Sequence, residues 1–396
     1  MINFSKVKIL IGNKKIENKI LLPYDEKICK FLSDFSNELN NFKGSSKFPD
    51  ILSLAFFCRK GNIIKLKKKF LASLDNKRLP LGLIFHITPS NIPTNFVYSL
   101  VFGLINGNSN IVKVTSKNFE QVNIILKVMN QTLKKHDELK KMITVVKYNN
   151  EDSFTEEVSK ICDARIIWGG DNSIKNIRKF QLKPRAFDLT FADRYSICVI
   201  DSHRLNKVKQ DDFASLIQKF YNDTFVVDQN ACSSPHLILW RGNKNEKIQN
   251  IFWGLLNNLV EKKYDLTHTA SVDKYTELCK KIIQDPSIKK FKTYSNNLYV
   301  VDLNNLSPNL DTYRGKWGFF YQYNIKKINE INKYINNKFQ TLTYFGLKKK
   351  ELEKFIFFNK LKGIDRIVPI GQALNIDFIW DGYDINRILT RVIDFK

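Results

Sequence analysis

From residue 80 the chain alternates short apolar runs with amphipathic stretches, joined by connections of a few residues, and this leaves few folds open. Leu81–His86, Asn110–Val114, Met142–Tyr148, Arg165–Trp168 and Tyr195–Asp201 read as strands. Between them, Pro93 opens an apolar helix that ends at Gly107. Asn118 is expected to cap a helix running to about Leu133, with Gln121 at its third position, and Ser153–Ile161 reads as a further helix. Gly169-Gly170-Asp171 leads into another. Strands separated by helices imply a parallel sheet covered on both faces. Such sheets bind ligands at the carboxyl ends of their strands.

Residues 1–79 alternate apolar clusters with lysines and read as an α-rich layer, with Pro49 near a helix start. Beyond Asp201 the expected order is a helix (211–221), a strand (237–240), helices over 246–262 and 273–283, strands at 299–302 and 317–323, a helix over 326–337 and a strand at 341–345. The tail is turn-rich before a last helix, Ile385–Ile393. The expected division is 1–79 and 80–201 for a dinucleotide-binding domain, 202–364 for a second, catalytic α/β domain, and 365–396 for a C-terminal segment.

Six scattered cysteines without a C-x-x-C point to reduced thiols, and five dispersed histidines offer no metal site. The opening residues carry charges that interrupt any signal-peptide core, and no apolar run is long enough to span a bilayer, so the expected compartment is the cytoplasm. The net charge of +25 is spread along the chain with acids nearby, which argues for solvated helix faces rather than nucleic-acid binding.

Three stretches carry candidate chemistry. Val227-Asp228-Gln229-Asn230-Ala231-Cys232-Ser233-Ser234-Pro235 sets a cysteine among small residues beside the apolar run Leu237–Trp240. Locally that thiol reads either as a nucleophile or as a small apolar residue at the core edge. Ile87-Thr88-Pro89-Ser90-Asn91-Ile92-Pro93 leads into a helix N-terminus, where free N–H groups favour negative charge. Trp168-Gly169-Gly170-Asp171-Asn172-Ser173 lets backbone approach a phosphate. Neither G-x-G-x-x-G nor a Walker motif is present.

In order, these pieces resemble the aldehyde dehydrogenase superfamily: the segment 87–93 is similar to its I-T-P-W-N-F-P, and Ile111-Val112-Lys113-Val114-Thr115-Ser116 to the strand and lysine that follow. His86, Asn91-Ile92-Pro93, Trp168-Gly169-Gly170-Asp171, Cys198-Val199-Ile200-Asp201, Asp228-Gln229-Asn230-Ala231-Cys232-Ser233 and Arg366-Ile367-Val368 more closely resemble the LuxC-type acyl-CoA reductases, the fatty acid reductase family of bacterial bioluminescence.

The resemblance implies an aldehyde dehydrogenase-like α/β fold, with a Rossmann-type cofactor domain and a second α/β catalytic domain. It implies that Cys232 takes an acyl group from a thioester, with Asn91 and the Cys232 N–H as oxyanion donors. Thr88, Pro89, Lys113, Ser116, Gly169, Gly170 and Ser173 would hold the cofactor. Where the superfamily carries a general-base glutamate this chain has Thr190, with Asp188 nearby. The ribose-binding glutamates are replaced near Thr312 and by Ser116 beside Lys117. Loss of the base favours reduction over hydrolysis, and loss of the acid beside the ribose favours NADPH over NADH. The expected activity is therefore NADPH-dependent reduction of acyl-CoA or acyl-carrier protein to an aldehyde, with a LuxE-like acyl-protein synthetase as the implied partner. Two alternatives stand beside it: an aldehyde dehydrogenase using Asp188, and a non-catalytic binding member. His236 is expected in the core or at the surface, and a homo-oligomer stays open.

Overall fold

The computed structural model describes residues 3–14, 17–72, 77–149 and 152–396. The chain divides into two compact units, Met1–Asp193 with Ile376–Lys396, and Arg194–Asn375.

The first unit opens with strand β1 (Lys8–Ile11) and helices α1 (Glu26–Asn41), α2 (Pro49–Cys58) and α3 (Lys60–Ala72). Helix α1 buries Ile28, Phe31, Leu32, Phe35 and Leu39, one stripe at helical spacing, and Asp25 caps it by accepting the Lys27 N–H. There follow β2 (Lys77–Pro80), β3 (Leu83–Ile87), α4 (Asn95–Ile105), β4 (Ser109–Lys113), α5 (Glu120–Leu133), α6 (Asp137–Lys140), β5 (Ile143–Lys147), α7 (Asp152–Ile161), β6 (Ala164–Trp168), α8 (Asp171–Ile177) and β7 (Phe187–Phe191). The sheet order is β1-β5-β4-β3-β6-β7, with β1 an antiparallel edge and the rest parallel. From β3 the chain winds outward through β4 to β5, then crosses back to β6 on the other flank of β3. The carboxyl ends of β3 and β6 thus flank a topological switch point. Helix α4 is buried at every position and packs with α1 and α5 in one core, while Phe154, Val158 and Ile174 fill the other face.

The second unit contains β8 (Tyr195–Asp201), α9 (Ser202–Leu205), α10 (Gln210–Thr224), β9 (Pro235–Arg241), α11 (Glu246–Lys263), α12 (His268–Gln284), β10 (Ile288–Tyr294), β11 (Leu298–Leu303), β12 (Phe319–Ile325), β13 (Phe339–Phe345), α13 (Lys349–Phe358) and β14 (Arg366–Pro369). The order is β10-β11-β12-β9-β8-β13-β14, parallel except for the β10 edge. Alternate residues of β8 enter opposite cores: Ile197 and Val199 one, Cys198 and Ile200 the other. The tail, with β15 (Ile379–Trp380), β16 (Tyr383–Asp384), α14 (Ile385–Ile388) and β17 (Thr390–Ile393), returns to the first unit.

Four sequence expectations are corrected. Strand 195–201 belongs to the second sheet, so the first unit ends at Asp193 rather than 201, and residues 376–396 rejoin the first unit. The expected last helix stops at Ile388. Residues 390–393 instead form β17 on β2, held by Arg78, which donates to the Thr390 hydroxyl (2.7 Å) and the Arg387 carbonyl (2.6 Å). That partner lies 312 residues away and leaves no local trace. The lysine- and asparagine-rich stretch 326–337 makes only a 3₁₀ turn, Ile328–Tyr334, with Glu330 accepting the Lys326 and Lys327 N–H groups. Asn118 does not cap α5. The cap position is Phe119, and the Asn118 side-chain Oδ1 accepts from Lys147 Nζ at 2.8 Å.

Candidate active site

The first group of candidate residues lies at the carboxyl ends of β3, β4 and β6. Thr88 follows β3, and its hydroxyl donates to the Lys113 carbonyl at 2.6 Å, tying the ends of β3 and β4 together. Pro89 is half-buried, whereas Ser90, Asn91, Ser116 and Lys117 are exposed. Helix α4 begins at Asn95, two residues after Pro93, so Asn91 lies in the turn ahead of it rather than in its first turn. The Lys113 ammonium sits 4.6 Å from the centre of the Tyr148 ring, and burial pushes its pKa down while Asp152 pulls it back up.

After β6, the Gly169 N–H donates to the Phe191 carbonyl at 3.1 Å, and a Cβ on Gly169 would press on Ser173 at 3.2 Å. Gly170 has extended backbone, and a Cβ there would meet nothing within 4 Å. The chain's own packing therefore does not require glycine at 170; the open side leaves room for a bound group. An open groove of about 310 Å³ runs beside α8, lined by Asp171, Ile174, Lys175, Arg178, Thr190 and Ala192. Exposed donors, an open glycine turn and a cation at a switch point form a donor set that fits a phosphorylated dinucleotide.

A buried polar chain holds this turn. Trp168 Nε1–H donates to Ser99 Oγ (2.9 Å), Ser99 Oγ lies 2.8 Å from His86 Nδ1, and His86 Nε2 lies 2.9 Å from Asn110 Oδ1. The Asn110 amide nitrogen donates to the Asn108 carbonyl, so Oδ1 is the acceptor and the His86 proton sits on Nε2. Nδ1 then accepts the Ser99 proton. Burial lowers the His86 pKa to about 4, which keeps the ring neutral and this order intact. Trp168 also stacks on Phe191, ring centres 3.8 Å apart.

The second group lies at the amino ends of the second sheet. Helix α10 returns the chain there, and a 3₁₀ turn (Phe225–Val227) leads to Asp228 and Gln229, both left-handed at φ 52° and 59°. Two consecutive residues other than glycine in this region are strained, by about 1–2 kcal/mol each. The surroundings hold them. The buried Gln229 amide donates to the carbonyls of Pro235 and Phe319, both at 3.1 Å, and accepts the Phe319 N–H at 3.2 Å. It thereby fills the gap between the heads of β9 and β12. Tyr264 donates to the Asp228 carboxylate (2.5 Å), and the Trp317 N–H to the Asp228 carbonyl (3.2 Å).

Cys232 sits on the turn that follows. Its carbonyl accepts the Ser196 hydroxyl at 2.6 Å, while Ser196 Oγ accepts the Thr341 N–H. The Ser234 hydroxyl donates to the Asp223 carbonyl at 2.7 Å. Ala231 (9% exposed), Ser233 (3%) and Ser234 (0%) are buried, and of these four residues Cys232 alone is partly exposed. Burial pushes the thiols of Cys58, Cys162 and Cys198 up to about 12, which makes them inert.

The candidate bases fare differently. Asp188 is gripped by the buried Arg165, Nε to Oδ1 at 2.7 Å and Nη2 to Oδ2 at 3.1 Å, with Arg178 at 3.6 Å. Both oxygens of the Asp188 carboxylate thus have guanidinium partners. His236 is buried, its ring stacked on Tyr195 (5.6 Å) and Nδ1 facing the Gly315 N–H at 3.4 Å; burial and Arg314 lower its pKa to about 3. Thr312 is exposed and bonds its own turn. Asp201 pairs with Arg241, and Arg366 closes the turn after β14 on the Gln372, Ala373 and Asn375 carbonyls, so both motif residues have structural partners. Among the described residues no cluster is suited to a metal.

Sequence reasoning missed Lys274. It is 1% exposed on α12, and its ammonium donates to the Trp317 carbonyl at 2.8 Å and lies 4.5 Å from the Tyr299 ring centre. Burial lowers its pKa to about 7. Through Trp317 it backs the segment that holds Asp228. A lone lysine in a lysine-rich helix gives no signal of this.

Comparison with known proteins places the chain. The acyl-CoA reductase (LuxC) family profile matches residues 69–391. Long-chain acyl-protein thioester reductases of Photorhabdus laumondii and Vibrio harveyi are 23% and 22% identical over 327 and 323 residues, 81% of this chain in each case. The chain spans 64% of the length of both relatives. Among solved structures, the NADP complex of a glyceraldehyde-3-phosphate dehydrogenase from Methanocaldococcus jannaschii superposes with TM-score 0.63 at 14% identity, covering 93% of this chain and 88% of that one. The indole-3-acetaldehyde dehydrogenase of P. syringae gives 0.67 at 10% identity, covering 94% and 84%. The fold is that of the aldehyde dehydrogenases, as expected, and the chain belongs to the acyl-CoA reductase (LuxC) family.

Proposed function

We propose that the chain reduces an acyl thioester to an aldehyde with NADPH, through an acyl group carried on Cys232. The observation that carries this reading is Cys232, partly exposed between the buried Ala231 and Ser233, with its own carbonyl held by the Ser196 hydroxyl. The thiolate adds to the thioester carbonyl carbon, the carbon–sulfur bond of the donor breaks, and the donor thiolate leaves with its electron pair. The Cys232 N–H is assigned the oxyanion of that step. NADPH, when bound, supplies a hydride. Lys113, Thr88, Pro89 and the turn Gly169–Ser173 are assigned its adenosine and phosphates, and Ser116 with Lys117 its 2′-phosphate. Return of the carbonyl then expels aldehyde and frees Cys232.

Water must be kept from activation meanwhile. Thr190 carries no carboxylate, and Asp188 is held by Arg165, so hydrolysis lacks its base. The relatives are named for acyl-protein thioesters, which favours a protein-borne donor beside acyl-CoA, with an acyl-protein synthetase as its source. The test is to incubate the full chain with labelled long-chain acyl-CoA and locate the label. It should sit on Cys232 and disappear as aldehyde on adding NADPH. Free acid as the main product, or label elsewhere, overturns the reading.

A further inference from the structure

Helix α13 buries Leu352 and Phe355 in the same core as Ile328 and Ile331 of the neighbouring 3₁₀ turn. Its last two residues point the other way: Phe357 is 77% exposed and Phe358 84%. Single exposed apolar side chains are ordinary, but two adjacent phenylalanines at a helix end are not scattered singles. Lysines surround them in sequence. Lys348, Lys349, Lys350, Lys354, Lys360 and Lys362 are all exposed, against two glutamates in the same stretch. Glu351 is taken by Arg241 at 2.9 Å and Glu353 by Lys349 at 3.7 Å. Six lysines in fifteen positions is more than twice the density of basic residues in the whole chain, 64 in 396.

Size separates two kinds of partner. Two phenylalanines offer at most roughly 150–250 Å² each, well short of the ~800 Å² per partner that a specific protein contact buries. Shallow insertion at a bilayer boundary needs no more than a small apolar tip ringed by cations. We propose that this end of α13 docks the protein on an anionic lipid surface, with Phe357 and Phe358 entering the headgroup–acyl boundary and the lysines meeting headgroup phosphates. The proposal is independent of the thioester chemistry, since docking requires neither acyl donor nor cofactor.

The test is sedimentation of the 396-residue chain with vesicles of phosphatidylcholine alone or mixed with phosphatidylglycerol. Binding is expected only with the anionic lipid. It should weaken more than tenfold in Phe357→Ser/Phe358→Ser and about fivefold for each of Lys350→Gln and Lys354→Gln. Phe358→Trp should shift its emission to the blue on the same vesicles, a readout that does not depend on the double variant folding. Failure to bind anionic vesicles overturns the proposal. So does equal binding by the double serine variant, which would assign the attraction to net charge alone, and so does capture of an acidic soluble protein through these phenylalanines without vesicle binding.

Discussion

The two sheets present opposite ends of their strands to their candidate residues. In the first, Thr88, Lys113 and Gly169 lie at the carboxyl ends of β3, β4 and β6, where Asn91, Ser116 and Lys117 are exposed and Gly170 faces open space above a buried Trp168–Ser99–His86–Asn110 chain. In the second, Cys232 precedes β9, in a helix-to-strand connection with two left-handed residues and buried clamps from Gln229, Ser196 and Ser234. The difference fits the two tasks proposed for them. A dinucleotide that enters and leaves needs donors and space at a switch point. A covalent nucleophile must hold one sulfur within a fraction of an ångström of the productive position, which demands locked neighbours. Local strain has been placed where positioning matters most.

The largest expected effect breaks the comparison outright: Cys232→Ala should lower acyl transfer at least ~10³-fold, read as label retained on the protein, while dinucleotide affinity stays unchanged. Gln229→Leu would remove the side-chain partner of the Pro235 and Phe319 carbonyls and of the Phe319 N–H. A stability loss of about 3 kcal/mol is expected in urea unfolding, together with faster modification of Cys232 by a bulky thiol reagent. Equal stability would mean that the turn does not depend on that clamp.

Lys274 gives a pH signature confined to the second unit. Its folded pKa, about 7, lies below that of an unfolded lysine. Between pH 7 and about 10 the unfolded chain keeps a proton that the folded chain has released, so stability rises with pH across that window and is lowest below it. Lys274→Met should flatten this rise by of order 2 kcal/mol between pH 7 and 10; an unchanged slope rejects the buried-lysine assignment. The smallest effect sharpens the other side. Lys113→Met should weaken NADPH binding about tenfold, measured by fluorescence titration, and leave acyl labelling of Cys232 intact.

Much of the architecture was legible because it follows from local pattern. Apolar runs of strand length between amphipathic stretches announce β3 to β6, β8 and β9, and the short turns between them announce parallel pairing. Strands with little apolar content escaped: β2 reads Lys-Arg-Leu-Pro and β10 carries three lysines. Helix α13 escaped as well. In the candidate site Cys232 and the glycine turn could be singled out, since small residues and glycines mark sharp backbone. The partners that give them meaning could not. Asp188 looked available as a base until Arg165 was seen beside it, and Gln229 stood within the motif without a role.

The sequence by itself determined the alternation of strand and helix, the parallel sheets that it forces, and the placing of one cysteine in a turn of small residues. Periodicity and turn chemistry act over a few residues and are written there. Tertiary structure alone decided which thiols are buried, Cys58, Cys162 and Cys198 against Cys29, Cys232 and Cys279, which carboxylate is captured, and which lysine is buried. Those outcomes depend on groups brought together from distant positions, such as Gln229 and Phe319, 90 residues apart, or Lys274 and Trp317, 43 apart. Burial and pairing energies between such groups arise only once the chain has folded.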